Sequence, residues 1–324
     1  MNRSLLIVFA CGLIGPAWGS PGGPDPAKLR LMSANVLVID TAAQRPIYAK
    51  AADDVTPIAS LTKLMTAMVV LDAGLPEDEL IAVDTDDFDF LKGSRSRLTM
   101  GTMLPRHEML RLALMSSENR AASSLARHYP GGLPAFIAAM NAKAAALRMK
   151  RTYFADPTGL SADNVSTAND LAKLVQAAAK YPQIGEFSTT PAHFVEVHPT
   201  GRWIGFNNSN ALVKNHAWDI RLQKTGYIRE AGRCLVMLVT IASRPFVIVL
   251  LDSVGKYTRL GDAQRVKQWL ENGDALSVPV KAPEHAAGAA QPARPKPIYK
   301  GTFSPRVAQY VDSLSKVKLT PNAR

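Results

Sequence analysis

The sequence predicts an α/β fold: an antiparallel sheet flanked by helices, completed by both ends of the body, with a helical lobe inserted between its strands. Three observations carry that expectation. Apolar runs rich in β-branched residues stand near the start of the body (33–40 and 46–50) and near its end (234–242 and 246–252). Stretches of helical length, rich in Leu, Met and Ala, lie between them. Finally, 47% of the 324 residues are hydrophobic, enough to build a packed core.

Taken in order, residues 1–19 read as a secretory signal. Met1-Asn2-Arg3 is a short positive start, Leu5 to Ile14 is mostly apolar, and Ala17-Trp18-Gly19 offers small residues before Ser20. The apolar stretch is short for a bilayer span, which favours cleavage over anchoring. Cys11 raises a lipoprotein as the alternative, which bulky Phe9 and the short leader argue against. The runs at 33–40 and 46–50 predict two strands around a Gln44-Arg45-Pro46 turn. Helices are expected from Ser60 to Leu71, near 105–128, over 134–147, and over 168–180, the last opening at Thr167. Residues 234–242 and 246–252 predict a hairpin joined by Ser243-Arg244-Pro245, and a final helix follows at 261–271. Residues 30–275 therefore read as one catalytic-sized body. The segment 276–300, rich in Pro, Ala and Lys, reads as a linker. Behind Ser304-Pro305, Val307, Tyr310, Val311, Leu314 and Val317 fall at helical spacing, predicting a short C-terminal helix.

Charge and cysteine narrow the classes. The formal net charge is +11, and residues 276–324 hold eight basic and two acidic residues (Glu284, Asp312). In an exported protein such a tail suits an acidic wall polymer better than nucleic acid, and no basic stripe interleaved with aromatics argues for DNA or RNA. The tail helix is read as docking on the body, with a weak membrane or cell-wall-protein contact as the alternative. Beyond the leader only Cys234 remains, inside an apolar run, so no disulfide framework exists and the thiol is expected in a strand core. The six histidines show no metal-ligand spacing, and no metal, nucleotide or other cofactor site is visible.

The chemistry sits in three short motifs. Ser-x-x-Lys occurs four times, at Ser60, Ser253, Ser313 and Ser315; Ser-x-Asn occurs at Ser33 and Ser117; Lys-Thr-Gly occurs once, at Lys224. Only Ser60 precedes the other two motifs at separations that let three elements converge. Ser60 stands at a helix start, where unpaired N–H groups favour developing negative charge, although a serine there can equally be a plain N-cap. Lys63, three residues on, shares its helix face among Leu61, Leu64 and Met65. A lysine turned into apolar packing loses its charge readily and can serve as a base, which a lysine reaching solvent cannot. Ser117 can relay a proton to a leaving amine, and the Asn119 amide can bind a substrate peptide group. Lys224 and the Thr225 hydroxyl suit a fixed carboxylate, and Gly226 admits close approach of a substrate backbone. The Tyr227 and Ser60 N–H groups are the expected oxyanion pair. The whole set describes a serine acyl-transfer enzyme with lysine as base.

In context these residues resemble the D-alanyl-D-alanine carboxypeptidase/endopeptidase family of low-molecular-mass penicillin-binding proteins. The contexts are Pro57-Ile58-Ala59-Ser60-Leu61-Thr62-Lys63-Leu64-Met65-Thr66-Ala67, Asp156-Pro157-Thr158-Gly159-Leu160-Ser161 and Gln223-Lys224-Thr225-Gly226-Tyr227. The resemblance covers roughly residues 30–272. More narrowly, the surroundings of Ser117-Glu118-Asn119, and residues 224–228 with 230–235, resemble the endopeptidase branch of that family. It implies a β-lactamase/transpeptidase-like fold and a periplasmic serine hydrolase needing no cofactor. It also implies peptidoglycan stem peptides as substrate and β-lactam antibiotics as covalent inhibitors. The best-known carboxypeptidases add a β-rich second domain and an amphipathic anchor. The tail here is too short for both, which argues against firm membrane attachment.

Two rivals meet specific objections. A class A β-lactamase needs a carboxylate to activate its deacylating water, and no glutamate lies between Glu118 and Glu186, where it would belong. A non-catalytic wall-binding protein has no use for Ser60, Lys63 and Ser117 together. The choice between endopeptidase and carboxypeptidase stays open to the motifs, because both reactions cut after a D-alanine and both substrates present a carboxylate. Only the finer resemblance favours the cross-link.

Overall fold

The computed structural model describes residues 24–272 and the positions Pro305 and Gln309. The expected leader, the linker and the rest of the tail helix lie outside the described residues. The chain enters through β1 (Asn35–Asp40), β2 (Arg45–Lys50), β3 (Thr56–Pro57), a 3-10 turn (Ala59–Thr62) and α1 (Lys63–Asp72). The inserted lobe follows as β4 (Leu80–Ala82), β5 (Met103–Pro105), α2 (Arg106–Met115), α3 (Asn119–Arg127) and α4 (Gly132–Ala146). Next come β6 (Val165–Ser166), α5 (Ala168–Ala178), α6 (Pro182–Thr189), and the hairpin of β7 (Ala192–Val197) and β8 (Arg202–Asn207). Three long strands, β9 (Asp219–Ile228), β10 (Gly232–Ile241) and β11 (Arg244–Ser253), lead into α7 (Thr258–Asn272).

The main sheet runs β2-β1-β11-β10-β9, antiparallel throughout, so strands from both ends of the body meet at β1 and β11. Side chains alternate across it. Val36, Val38, Leu235, Met237, Ile248 and Leu250 pack with Trp269 of α7 on one face. Leu37, Val236, Val247, Val249 and Leu251 join the larger core of α1 to α6 on the other. Burial on both faces explains why β10 and β11 read as nearly continuous apolar runs. Helix α1 lies inside that larger core, and every residue from Lys63 to Val70 is buried. It has no polar face to offer water, as its sequence indicates.

The structure redraws several expected boundaries. The β10–β11 turn is Ala242-Ser243 alone, with φ of +48° and +61°, the left-handed pair a two-residue hairpin requires, so Arg244 and Pro245 belong to β11. The helix expected near 105–128 is two helices, broken at Ser116-Ser117-Glu118. Strand β9, which carries Lys224-Thr225-Gly226, and the β7–β8 hairpin emerge only in three dimensions. Cys234 is buried in β10, as its apolar neighbours predict.

Candidate active site

Ser60 lies in the 3-10 turn that leads into α1, behind Ala59, whose φ of +48° is costly for a residue with a Cβ. Two glycines make that turn possible. At Gly159 (φ +82°) a Cβ would stand 2.0 Å from the Ala59 carbonyl oxygen, and at Gly226 one would stand 3.2 Å from Ser60 N. Loop and strand thus press directly on the backbone that presents Ser60.

Lys63 is wholly buried. Its Nζ donates to Ser60 Oγ at 2.9 Å, to Asn119 Oδ1 at 2.7 Å and to the Thr158 carbonyl at 2.6 Å. Burial lowers its pKa from 10.5 to about 7, against the opposing pull of the Asp156 and Glu118 carboxylates. Close to neutral pH the amine is therefore about half unprotonated, and one lone pair can face the Ser60 hydroxyl.

The third partner, Thr158, comes from a loop whose turn chemistry is explicit in Asp156-Pro157-Thr158-Gly159. The Asp156 carboxylate accepts from Thr158 N and Oγ1 (2.6 Å each), Gly159 N (2.8 Å) and Ser161 N (2.8 Å). Buried Asn164 accepts from Ala155 N and Asp156 N and donates to Thr62 Oγ1 at 2.9 Å, while Thr66 Oγ1 donates to the Pro157 carbonyl at 2.6 Å. The loop is tied at three points to the 3-10 turn (Thr62) and to α1 (Lys63 and Thr66), which fixes the Thr158 carbonyl over Lys63. Motif reading passed over Thr158 and Asn164 because one acts through its backbone and the other through the loop.

Between α2 and α3, Ser117 takes φ of +63°, in the left-handed region. Its Oγ accepts from Lys224 Nζ at 2.8 Å, whereas Asn119, at the first position of α3, is the residue that reaches Lys63. The Asn119 amide nitrogen donates to Ser94 Oγ at 3.0 Å, so both ends of that side chain are engaged. Lys224 is also fully buried, and its pKa is pushed well below the ordinary lysine range by burial and then by the Lys63 and Arg259 charges. Ser94 and Arg259 belong to no recognisable motif.

Strand β9 is an edge of the sheet. The Gln223 N–H leaves the sheet to reach Ser188 Oγ at 3.3 Å, and with a period of two the Thr225 and Tyr227 N–H groups face the same free edge. Gly226 abuts Ser60 N, which brings the strand that carries Tyr227 against the backbone of Ser60. The Thr225 hydroxyl donates to Ser209 Oγ at 2.7 Å. The Tyr227 ring itself is exposed and lies under the Arg233 guanidinium, 4.5 Å from its centroid. The eight residues expected from sequence thus come from three stretches of the chain, 60–63, 117–119 and 224–227, and lie around Ser60.

Known proteins resemble this chain in sequence and in fold. The chain is 49% identical over 257 residues to the D-alanyl-D-alanine endopeptidase of Pseudomonas aeruginosa, covering 79% of this chain and 83% of that one. It is 48% identical to the D-alanyl-D-alanine endopeptidase of Escherichia coli, covering 78% and 81%. Among solved structures, the Streptomyces K15 DD-transpeptidase superposes with a TM-score of 0.68 at 26% identity, covering 73% of this chain and 96% of that one. The family model described as D-alanyl-D-alanine carboxypeptidase matches residues 24–255. The chain belongs to the D-alanyl-D-alanine carboxypeptidase family of serine peptidases.

Proposed function

We propose that the chain is a D,D-endopeptidase that hydrolyses D-alanyl-diaminopimelate cross-links of peptidoglycan through an acyl-enzyme on Ser60, and that β-lactams inhibit it by acylating the same oxygen. The observation that carries this reading is Lys63, wholly buried, 2.9 Å from Ser60 Oγ, with a pKa lowered to about 7. Ser60 Oγ attacks the D-alanine carbonyl carbon as its proton passes to Lys63 Nζ. The carbonyl oxygen takes the negative charge between the Ser60 and Tyr227 N–H groups. As the C–N bond breaks, Ser117, polarised by Lys224, hands a proton to the leaving amine and recovers one from the lysine pair. Water then hydrolyses the ester, returning the hydroxyl proton to Ser60. Lys224 and Thr225 hold the carboxylate beside the scissile bond, and Asn119 binds a substrate amide once it exchanges Ser94 for it.

The endopeptidase assignment draws on the two relatives of that name at nearly half identity. The second reading, a carboxypeptidase trimming pentapeptide stems, is favoured by the description of the matching family model. Digesting cross-linked muropeptide dimer and free pentapeptide side by side separates them: monomers are expected from the dimer, and release of D-alanine alone would reject the endopeptidase. We further infer a periplasmic enzyme with residues 1–19 as a cleaved leader, 30–275 as the catalytic domain and 276–324 as a basic tail that touches the wall. Among the described residues no helix is long and apolar enough to cross a membrane.

A further inference from the structure

Lys92 and Glu230 form an ion pair between the lobe and the β9–β10 turn, beside the site. Lys92 belongs to the lobe, two residues before Ser94, and Glu230 to the β9–β10 turn, three residues after Tyr227. Lys92 Nζ lies 2.6 Å from Glu230 Oε1, with both side chains about a third exposed. The lobe side is a built turn, since the Asp89 carboxylate accepts from Leu91 N (2.9 Å), Lys92 N (2.8 Å) and Ser94 N (2.8 Å). On the sheet side, Glu230 Oε2 has no hydrogen-bond partner although it is covered. An ion pair this exposed adds little to stability. What it does supply is one cation and one anion, side by side, with acceptor capacity to spare.

Position along β9 says which part of a substrate passes there. Lys224 and Thr225 take the carboxylate on the leaving side, and the Tyr227 N–H takes the scissile carbonyl. A substrate lying along this free edge then runs antiparallel to β9 and places the residue before the scissile D-alanine toward Ile228 and Glu230. The Lys92–Glu230 pair lies at that end of the strand.

We propose that Lys92 and Glu230 form the recognition site for the side chain of that preceding residue, and that this side chain ends in an ammonium and a carboxylate on one carbon, as diaminopimelate does. The incoming carboxylate takes Lys92, the incoming ammonium takes Glu230, and one ion pair becomes two. This rests on the D,D-peptidase reading and adds a specificity to it.

The test uses two synthetic cross-linked peptide dimers, identical except that the acyl-donor residue before D-alanine is diaminopimelate or lysine. Lysine keeps the ammonium and lacks the carboxylate. The wild-type kcat/KM is expected to favour the diaminopimelate dimer about tenfold, the scale of one charge-assisted contact. Lys92→Met should collapse that ratio to near one, and Glu230→Gln should lower kcat/KM for both dimers. Because the readout is a ratio, a general loss from a disturbed loop cancels. A wild-type ratio below about twofold, a ratio that survives Lys92→Met, or a Glu230→Gln enzyme equal to wild type would each overturn the proposal. So would a proportional fall of both dimers and of penicillin acylation in Lys92→Met, which would make the pair a clasp. Failure of the wild type to cut either dimer would instead reject the peptidase reading itself.

Discussion

If neutral Lys63 is the base, acylation must follow its titration. An ordinary lysine with a pKa of 10.5 is unprotonated in about three molecules in ten thousand at pH 7, whereas the buried amine, at about 7, is unprotonated in about half. Burial alone therefore raises the supply of competent base by roughly a thousandfold. Below pH 7 the second-order rate of acylation by fluorescent penicillin should fall about tenfold per pH unit, and above pH 8 it should level off. Quenching the reaction at intervals and reading the labelled band on a denaturing gel from pH 5 to 9 gives the profile. Glu118→Gln sharpens the test. The Glu118 charge supports the protonated amine, so its removal should move the acid limb to lower pH, while the amide oxygen can still accept the 3.1 Å bond from Arg120 N that starts α3. A rate that is flat between pH 5 and 7, a midpoint above pH 9, or a limb that moves upward in Glu118→Gln would refute the role given to Lys63. Stability carries the same signature. Between about pH 7 and 10.5 the unfolded chain holds a proton on Lys63 that the native chain lacks, so stability rises with pH through that window and is lost as pH falls toward 7. The full swing amounts to about 5 kcal/mol. Denaturant titrations of wild type and Lys63→Met at pH 7 and 9 should differ in slope in that sense.

Ser60→Ala is expected to retain the fold, since Lys63 keeps its bonds to Asn119 and Thr158, and to lose both hydrolysis and covalent penicillin; near-wild-type turnover would reject Ser60 as nucleophile. Gly159→Ala should lower the thermal midpoint, because the new Cβ meets the Ala59 carbonyl at 2.0 Å in a left-handed backbone, a strain of roughly 1–3 kcal/mol or more. Gly226→Ala, with its nearest atom the Ile58 carbonyl at 3.0 Å, should instead keep the fold and slow acylation, by up to about a hundredfold if Ser60 N is displaced. A chain ending at residue 275 should still cleave soluble dimer but bind insoluble wall less at low salt, read by co-sedimentation, as the loss of a basic tail requires.

Ser60, Lys63 and the Lys224-Thr225-Gly226 run were legible as chemistry because their side-chain types and order carry it, and the apolar runs at both ends of the body foretold a sheet closed by its termini. Leu, Met and Ala around Lys63 were enough to anticipate its burial. Other features were not written locally. The break at Ser117 has no glycine or proline to announce it, although Ser117 takes a left-handed backbone there. Strand β9 is half polar in sequence because its edge serves the site rather than the core.

The sequence by itself marked Ser60, Lys63 and Lys224-Thr225-Gly226 as the groups equipped for chemistry and an antiparallel sheet flanked by helices as their frame, since residue type sets pKa range, hydropathy and strand preference. Tertiary structure alone decided the pairings: that Asn119 and the Thr158 carbonyl hold Lys63, that Ser117 answers to Lys224, and that Lys92 faces Glu230. Each of those pairs joins segments far apart in the chain. Their distances follow from how α1, the lobe and the edge strand pack, which no local pattern encodes.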